Sequence, residues 1–369
     1  MALKKGMEKH KRSNHKRSNH KRSNHKRSNP ENRSKKRNNK RTKKRKHVSL
    51  SIIRTKKGKK HEYKNRKTNK IIKECNLMPH IKSMKLPPAY PMVYISADKN
   101  NSVQAIGIDS KDRKQYFYHQ KIINNRKNNK FRDLVYFMRK LGNIRKDMSQ
   151  VLSKCDETKT EFSKKEVIAM ILYILDNCKF RIGSSKYMKL YNSFGATTLQ
   201  GKHINCNKNE TFIKFIGKKG VENTGKITHP KMCQLLKQLK KIYGNECLFH
   251  YGKDNIPINE KMVNDFLKMY HPILSAKMYR TYSANYEAVK GLHQLSLKNQ
   301  HNEQKQQKKE VLELLRKIAE KHHHSLAIAR SSYIHDDIIT TYLDDVDKWN
   351  SIYNKNKGNV NRIITSYIE

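Results

Sequence analysis

The chain has 369 residues, 35% of them hydrophobic and 8% aromatic, and carries a formal net charge of +51. This length and composition allow one large or two modest domains. The charge predicts a polyanionic partner, because basic side chains release the counterions condensed on a phosphate backbone. No run of residues approaches the roughly 18 apolar positions of a membrane-spanning helix, and the N-terminus lacks the apolar core of a signal peptide. These absences predict a soluble, intracellular protein that does not span a membrane, while the charge alone does not separate nucleic acid from an anionic membrane surface.

The six cysteines are scattered along the chain without any Cys-x-x-Cys pair: Cys75, Cys155, Cys178, Cys206, Cys233 and Cys247. A zinc ribbon needs paired cysteines, and a disulfide framework needs a recognisable set of spacings. The pattern therefore predicts reduced, mostly buried thiols and no metal site.

Residues 1–62 form a basic segment of low complexity. Positions 10–29 are four copies of His-Lys-Arg-Ser-Asn, and residues 1–60 hold 26 Lys and Arg against 2 Asp and Glu. Such a segment buries almost no apolar surface and is predicted to be a disordered tail. Two interpretations of it stay open: a non-specific DNA tether or nuclear-import signal, and a biased repeat without a specific role.

A small β-rich domain is predicted over residues 63–126. Short strands are expected at 92–96 and 103–107, with a polar turn between them. A further strand is expected at 113–119. Alternation along it would place Arg113 and Gln115 on one face, and the two tyrosines, Tyr116 and Tyr118, on the other.

Helices are predicted to dominate residues 127–369. Apolar side chains recur at helical spacing over 134–151, and the apolar run 167–175 predicts a buried central helix with Arg181 just beyond its C-terminal end. A β-hairpin is predicted from strands at 203–206 and 211–216. The remaining helices are predicted at 230–243, 259–270, 276–291, 303–322 and 334–347. Gly217 and Gly220 bracket a turn after the hairpin that would project Lys218 or Lys219.

Five residues could together form a site for phosphodiester transfer: Tyr333, Arg181, Lys218, Arg280 and His324. A tyrosine hydroxyl is a poor nucleophile at neutral pH, because its ordinary pKa is about 10. It becomes effective when cations and a hydrogen-bond donor stabilise the charge that develops on the phosphate it attacks. The set suggests an enzyme that breaks and rejoins DNA without metal, ATP or any other cofactor.

The same residues lie within a longer series of motifs. In chain order these are Pro87-Pro-Ala-Tyr90, Gly107-Ile-Asp109-Ser-Lys111-Asp-Arg113-Lys-Gln-Tyr116-Phe-Tyr118, Arg181-Ile-Gly183, Leu199-Gln-Gly-Lys202-His203-Ile204, Ile213-Lys-Phe-Ile-Gly217-Lys218, Arg280-Thr-Tyr282, and His324 nine residues before Tyr333. With this series the chain resembles the compact, poxvirus-like branch of the type IB DNA topoisomerases over roughly two-thirds of its length.

The resemblance implies a role for each of the five residues. Tyr333 would attack the scissile phosphate, form a 3′-phosphotyrosyl link and expel the 5′-hydroxyl. Arg181 and Arg280 would clamp the non-bridging oxygens, to which His324 would donate a further hydrogen bond. Lys218 would protonate the leaving oxygen, with Arg181 as a second contributor.

The resemblance also implies DNA contacts by five other residues: Arg113, Tyr116, Tyr118, Lys186 and Tyr187. The competing interpretation of the two strand tyrosines is that they fill a small core. For Lys186 and Tyr187 the competing interpretation is a solvated lysine beside a half-buried tyrosine.

Three positions depart from a family pattern or require a choice between neighbouring residues. Lys219 follows Lys218 where the family often has an acidic residue, and the preceding glycine favours Lys218. His324 is the last of three consecutive histidines, chosen by its distance from Tyr333. Lys277 stands three residues before Arg280, where tyrosine recombinases usually have histidine.

The predicted fold is α+β: a small N-terminal antiparallel β domain and a mainly helical catalytic domain with a β-hairpin, forming a clamp around double-stranded DNA. The predicted protein is a monomeric topoisomerase acting in a nucleus, a viral factory or a virion. A site-specific tyrosine recombinase and a non-catalytic DNA-packaging protein are the alternatives. A two-metal nuclease is disfavoured, because the acidic pairs 336–337 and 344–345 lie close together near the C-terminus.

Overall fold

In a computed structural model of the chain, the described residues are 50–58, 60–72, 78–110, 112–207, 209–298 and 303–369. The strands are β1 (Ile52–Lys57), β2 (Lys60–Asn65), β3 (Met92–Ile95), β4 (Val103–Ile108), β5 (Lys114–Tyr118), β6 (Ile204–Cys206), β7 (Thr211–Ile216), β8 (Glu222–Ile227), β9 (His250–Tyr251) and β10 (Ile256–Pro257). The helices are α1 (Met78–Ser83), α2 (Gln120–Lys154), α3 (Lys164–Cys178), α4 (Ser185–Tyr191), α5 (Pro230–Tyr243), α6 (Glu260–Lys268), α7 (Lys277–Lys298), α8 (Gln304–Lys321), α9 (Leu326–Ser332), α10 (Asp336–Asp344), α11 (Val346–Lys355) and α12 (Val360–Ser366).

The N-terminal sheet is antiparallel, with the strand order β2-β1-β3-β4-β5. Its small core consists of Ile52, Ile81, Val93, Ile95 and Ala105. The strands expected at 92–96, 103–107 and 113–119 are present. The sheet begins earlier than predicted, because residues 52–62, which we assigned to the basic tail, form β1 and the start of β2. The dense lysines had masked the buried alternation of β1. The predicted tail up to residue 49 lies outside the described residues.

Helix α2 also begins earlier than predicted. Its first residue is Gln120, and the His119 side chain caps it by accepting a hydrogen bond from the Lys121 amide at 3.1 Å. The polar stretch 124–130, expected to end the β domain, lies inside this helix. This stretch contains neither glycine nor proline. Extending α2 from its apolar part back through residues 124–130 therefore costs little free energy.

The predicted central helix is confirmed as α3. Ser163 and Glu166 form a capping box at its N-terminus, which satisfies amide groups that the helix itself cannot pair. Nine of its side chains are buried in the large core of the helical part. Lys179 adopts the left-handed conformation with φ of 56° and ends the helix two residues before Arg181.

The predicted hairpin is part of a three-stranded sheet, because β8 pairs with β7 along its whole length. Sequence reasoning missed β8, whose residues are mostly polar and include Gly225. That glycine is required by close packing, since a Cβ on it would lie 2.7 Å from the Phe180 ring.

The helix expected over 334–347 is two helices, α10 and α11. The break comes at Asp345, whose side chain accepts a hydrogen bond from the Lys348 amide at 2.8 Å and so caps α11. Asp345 is therefore a helix-capping residue. No helix among the described residues is long and apolar enough to cross a membrane. The five described cysteines, all except Cys75, are free thiols.

Candidate active site

Arg280 lies in the first turn of α7 and is almost fully buried, at 2% exposure. Its two terminal nitrogens donate hydrogen bonds to the carbonyl oxygens of Lys179 and His322. A buried guanidinium is costly unless its donors are paired, so these two carbonyls hold it in one orientation. Its Nε atom is buried without a partner among the described residues. The guanidinium is therefore fixed and keeps a donor for a bound group.

Tyr333 and His324 lie against this arginine. The His324 and Tyr333 rings are stacked with centres 4.8 Å apart and planes 9° apart. The Arg280 guanidinium carbon is 5.3 Å from the centre of the Tyr333 ring. Both ring nitrogens of His324 are buried without a partner within the described part of the chain. Three of the five predicted catalytic residues are thus brought together, with unused donor positions between them.

The backbone at Tyr333 is held by Asn285, which sequence reasoning did not identify. The Asn285 side-chain amide donates to the Tyr333 carbonyl oxygen at 2.8 Å and accepts from the His335 amide at 2.8 Å. Asn285 is fully buried on α7. A polar residue on the buried side of a helix that already carries Arg280 is the signal that could have found it.

Arg181 is supplied by the loop after α3. The Arg181 and Ile182 carbonyl oxygens accept hydrogen bonds from the amides of Ala196 and Thr197, both at 2.8 Å. These bonds fix the loop against the segment that follows α4. The Arg181 Nη1 atom is buried without a partner among the described residues. Its positive charge lowers the pKa of both Tyr333 and Arg280, so it lies within electrostatic reach of the other site residues.

We expect Gly195→Ala to displace Arg181 and slow catalysis. A Cβ at position 195 would lie 2.6 Å from the Arg181 carbonyl oxygen and 2.5 Å from the Gly183 nitrogen, both backbone atoms. Such overpacking should lower the free energy of unfolding by about 2 kcal/mol. Urea unfolding and the rate of DNA cleavage measure the two effects. Gly142→Ala, in open space on α2, is the control. Equal stability of the two variants would contradict this account of the loop.

The electrostatics of the site favour an ionisable tyrosine. Burial by itself raises the pKa of the Tyr333 hydroxyl. The charge and hydrogen bond of Arg280, together with the charges of Arg181 and Lys277, outweigh burial, so the net pKa lies below the ordinary tyrosine value. Burial likewise lowers the pKa of Arg280 to about 10. The cluster is thus an electropositive, partly desolvated pocket suited to an anion.

The three consecutive histidines occupy different places. His322 is fully buried, with Nε2 3.8 Å from a Glu287 carboxylate oxygen, and its carbonyl oxygen accepts from Arg280. The His323 ring lies 5.8 Å from that of Phe180. Only His324 stacks on Tyr333, which supports the residue chosen by spacing. His322 has a supporting position that sequence reasoning had not assigned.

Lys218 is separate from this cluster. It lies in the turn 218–220 between β7 and β8 and is exposed, and the following Lys219 has a φ of 66°. Within the described ranges no contact joins Lys218 to Tyr333, Arg280, Arg181 or His324. The structure thus confirms the predicted turn but does not bring its lysine into the site.

The five predicted DNA-binding residues fall into two groups. Arg113 forms an ion pair with Asp109, with nitrogen–oxygen distances of 2.8 and 2.9 Å, and its guanidinium carbon lies 5.9 Å from the Tyr191 ring centre on α4. Helix α4 also carries the exposed Lys186, and Tyr187, which is 55% exposed.

The second group is on the other face of β5. Tyr116 and Tyr118 are stacked with ring centres 6.2 Å apart, and Tyr116 is 49% exposed. This face is opposite the small core of the sheet, against which Phe117 packs. The alternative that both tyrosines fill a core is therefore wrong. The predicted alternation of Arg113 and the tyrosines is confirmed.

Comparisons with known proteins identify the family to which the chain is similar. The family model "Eukaryotic DNA topoisomerase I, catalytic core" matches residues 119–359, and "Bacterial DNA topoisomerase IB, N-terminal domain" matches residues 60–109. DNA topoisomerase 1B of Acanthamoeba polyphaga mimivirus is 26% identical over 333 residues, which are 87% of this chain and 96% of that protein. DNA topoisomerase 1B of vaccinia virus (strain Copenhagen) is 30% identical over 185 residues, 49% of this chain and 54% of that protein.

The chain thus matches nearly the whole mimivirus relative and about half the length of the poxvirus one. Among solved structures, the XerH site-specific recombinase bound to palindromic difH substrate, in a post-cleavage complex, matches with a TM-score of 0.34 and 15% identity. This match covers 56% of this chain and 51% of that chain. The catalytic-core match alone covers well over half of the sequence. The chain belongs to the type IB DNA topoisomerases.

Proposed function

We propose that this protein relaxes supercoiled double-stranded DNA by cutting and rejoining one strand through Tyr333. The observation that carries the proposal is the packing of Tyr333 against His324 and Arg280 in a type IB topoisomerase. The Tyr333 oxygen would form a bond to the scissile phosphorus while the bond to the 5′-oxygen breaks. The covalent link retains the energy of the broken bond, so religation needs no nucleotide.

Each cation would act on charge that develops during this exchange. The Arg280 guanidinium is held by two carbonyls, and Arg181 Nη1 and Arg280 Nε are unpaired donors, so the two arginines can bind the non-bridging oxygens. His324 would add a third donor. Lys218 would supply the proton to the leaving 5′-oxygen from its exposed place in the β7–β8 turn.

The DNA would lie between the sheet and the helical part, in a clamp formed by one protein molecule. This is supported by exposed basic and aromatic side chains on both parts, namely Arg113, Tyr116, Lys186 and Tyr187, and by the half-buried Tyr118. The division into a β-rich domain and a helical catalytic domain, the monomeric state and the cellular compartment stay predictions of the sequence.

Relaxation of supercoiled plasmid in EDTA without ATP tests the proposal. Among the described residues no group of three or more His, Cys, Asp or Glu side chains could hold a metal ion. Relaxation in the presence of EDTA tests separately whether the reaction needs a metal ion. We expect complete relaxation, with a protein–DNA adduct trapped by detergent. Tight DNA binding with neither relaxation nor adduct, under EDTA or with Mg²⁺, would leave the packaging alternative instead.

We expect His324 to act as a neutral donor. Burial and the charge of Arg280 lower the pKa of His324 to about 4, so the ring of the free protein is neutral above that pH and charged only below it. His324→Ala should slow cleavage about 100-fold, and His324→Gln, which keeps a neutral N–H donor, about tenfold. The ratio of the wild-type rate to the His324→Gln rate should not change between about pH 6 and pH 8. A ratio that grows towards pH 6 would mean that a charged imidazole is the active form.

A further inference from the structure

The N-terminal part of α2 contacts the segment that carries Tyr333. Three residues on one face of this helix each touch a residue next to or close to the nucleophile. The contacts are the ion pair of Lys127 with Asp336, the hydrogen bond from Lys130 Nζ to the Ser332 carbonyl oxygen at 2.9 Å, and the edge-on packing of Phe131 on His335 with ring centres 4.6 Å apart. The spacing 127, 130, 131 places these three side chains on adjacent turns. The segment 332–336 is therefore held on both sides of Tyr333.

The same stretch of α2 contacts the sheet. The Arg126 guanidinium carbon lies 3.8 Å from the centre of the Tyr118 ring, a close cation–π contact. Tyr118 ends β5, only one residue before the cap of α2. Arg126 and Lys127 are consecutive, so much less than one helical turn separates the contact with the sheet from the contact with Asp336, close to the nucleophile.

Lys130 is held in a place that disfavours its charge. Burial and the nearby charges of Lys277 and Lys127 lower its pKa to about 8. The Ser332 carbonyl oxygen offsets part of this cost of burying the ammonium group, because it accepts a hydrogen bond from Lys130 Nζ. Arg126, Lys130 and Lys277 also line a cavity of about 280 Å³. A purely DNA-binding role for Lys130 in that cavity is the rival interpretation, and it makes a different prediction.

We propose that residues 126–131 of α2 are a positioning element that links DNA contact at Tyr118 to the placement of Tyr333. The inference rests on the proposed function, because it concerns the same cleavage step. DNA seated against Tyr118 fixes Arg126 and the start of the helix. Lys130 and its two neighbours on the helix face then hold the segment 332–336 so that the hydroxyl faces the phosphate.

Lys130→Met tests the proposal, with Lys130→Arg as the conservative variant and the exposed Lys121→Ala as the matched loss of one charge on the same helix. We expect detergent-trapped adduct formation under single-turnover conditions to slow about tenfold in Lys130→Met. DNA affinity should change no more than in Lys121→Ala. Lys130→Arg should retain most of the rate, because it still donates to the Ser332 carbonyl. A Lys130→Met protein that loses affinity more than Lys121→Ala but cleaves at the wild-type rate when saturated overturns the proposal in favour of the rival role.

The link to the sheet is tested by combining Lys130→Met with Tyr118→Leu. If both act through one element, the double variant saturated with DNA cleaves no more slowly than the slower single variant. Rates that multiply would mean independent roles and would overturn the link. A wild-type protein that fails to relax plasmid would instead defeat the proposed function, so the two failures are distinguishable.

Discussion

Tyr333→Phe should abolish relaxation and covalent adduct formation while leaving DNA binding intact. The substitution removes only the hydroxyl, and the remaining ring can still stack on His324 and lie against Arg280. No other described tyrosine combines a histidine ring with a buried arginine, so we expect the cleavage rate to fall by more than about 10⁴-fold. Plasmid relaxation and adduct trapping measure the loss, and a filter-binding titration measures affinity.

Tyr353→Phe is the control for this experiment, because Tyr353 packs against His293 and Trp349 away from the site. It should relax DNA like the wild type. A Tyr333→Phe protein that still forms an adduct would remove Tyr333 from the mechanism and return the assignment to another tyrosine.

Replacing Arg280 is expected to have the second largest effect. Arg280→Ala removes a charge fixed by two carbonyls beside the nucleophile, which should slow cleavage about 10³-fold. It also leaves the Lys179 and His322 carbonyls without their donor, which should lower the free energy of unfolding by about 1–3 kcal/mol. Single-turnover cleavage and urea unfolding separate the two consequences.

Arg280→Lys distinguishes geometry from charge. Lysine keeps the positive charge but cannot present a planar fork to two carbonyls and a phosphate at once, so it should rescue only part of the rate. The exposed Arg316→Ala on α8 removes one charge elsewhere and should change neither property. Full activity in Arg280→Lys would contradict the fixed-fork role inferred from the structure.

Regular elements of the fold were largely predictable from apolar periodicity. The apolar part of α2 was expected from helical spacing over 134–151, α3 was expected from the apolar run 167–175, and the helix carrying Arg280 was expected over 276–291. Errors arose where polar residues carry the structure. In β1 lysines conceal a half-buried strand, in the start of α2 asparagines occupy helical positions, and in β8 a mostly polar strand is fixed by its partner β7.

The site was predictable to the extent that individual chemistry shows in the sequence. Tyr333, Arg280 and His324 meet in the structure as the motifs suggested. Asn285 and Lys130 were missed because each donates to a backbone carbonyl oxygen. Every residue has such a carbonyl, so the identity of the partner residue does not reveal the contact. The exposed position of Lys218 could not have been predicted from spacing, since a turn residue's place depends on how its sheet packs.

Helix α2 runs without interruption for 35 residues, a length of about 52 Å at the usual rise per residue. Each residue inserted into an α-helix rotates the side chains on its N-terminal side by about 100° around the helix axis, relative to those on its C-terminal side. A single-residue insertion between Phe131 and Leu134 would therefore move Arg126 and Lys130 to a different face of α2, while the rest of α2 kept its packing on α3. The rotational phase of this helix therefore restricts which insertions and deletions can be accepted between Phe131 and Leu134.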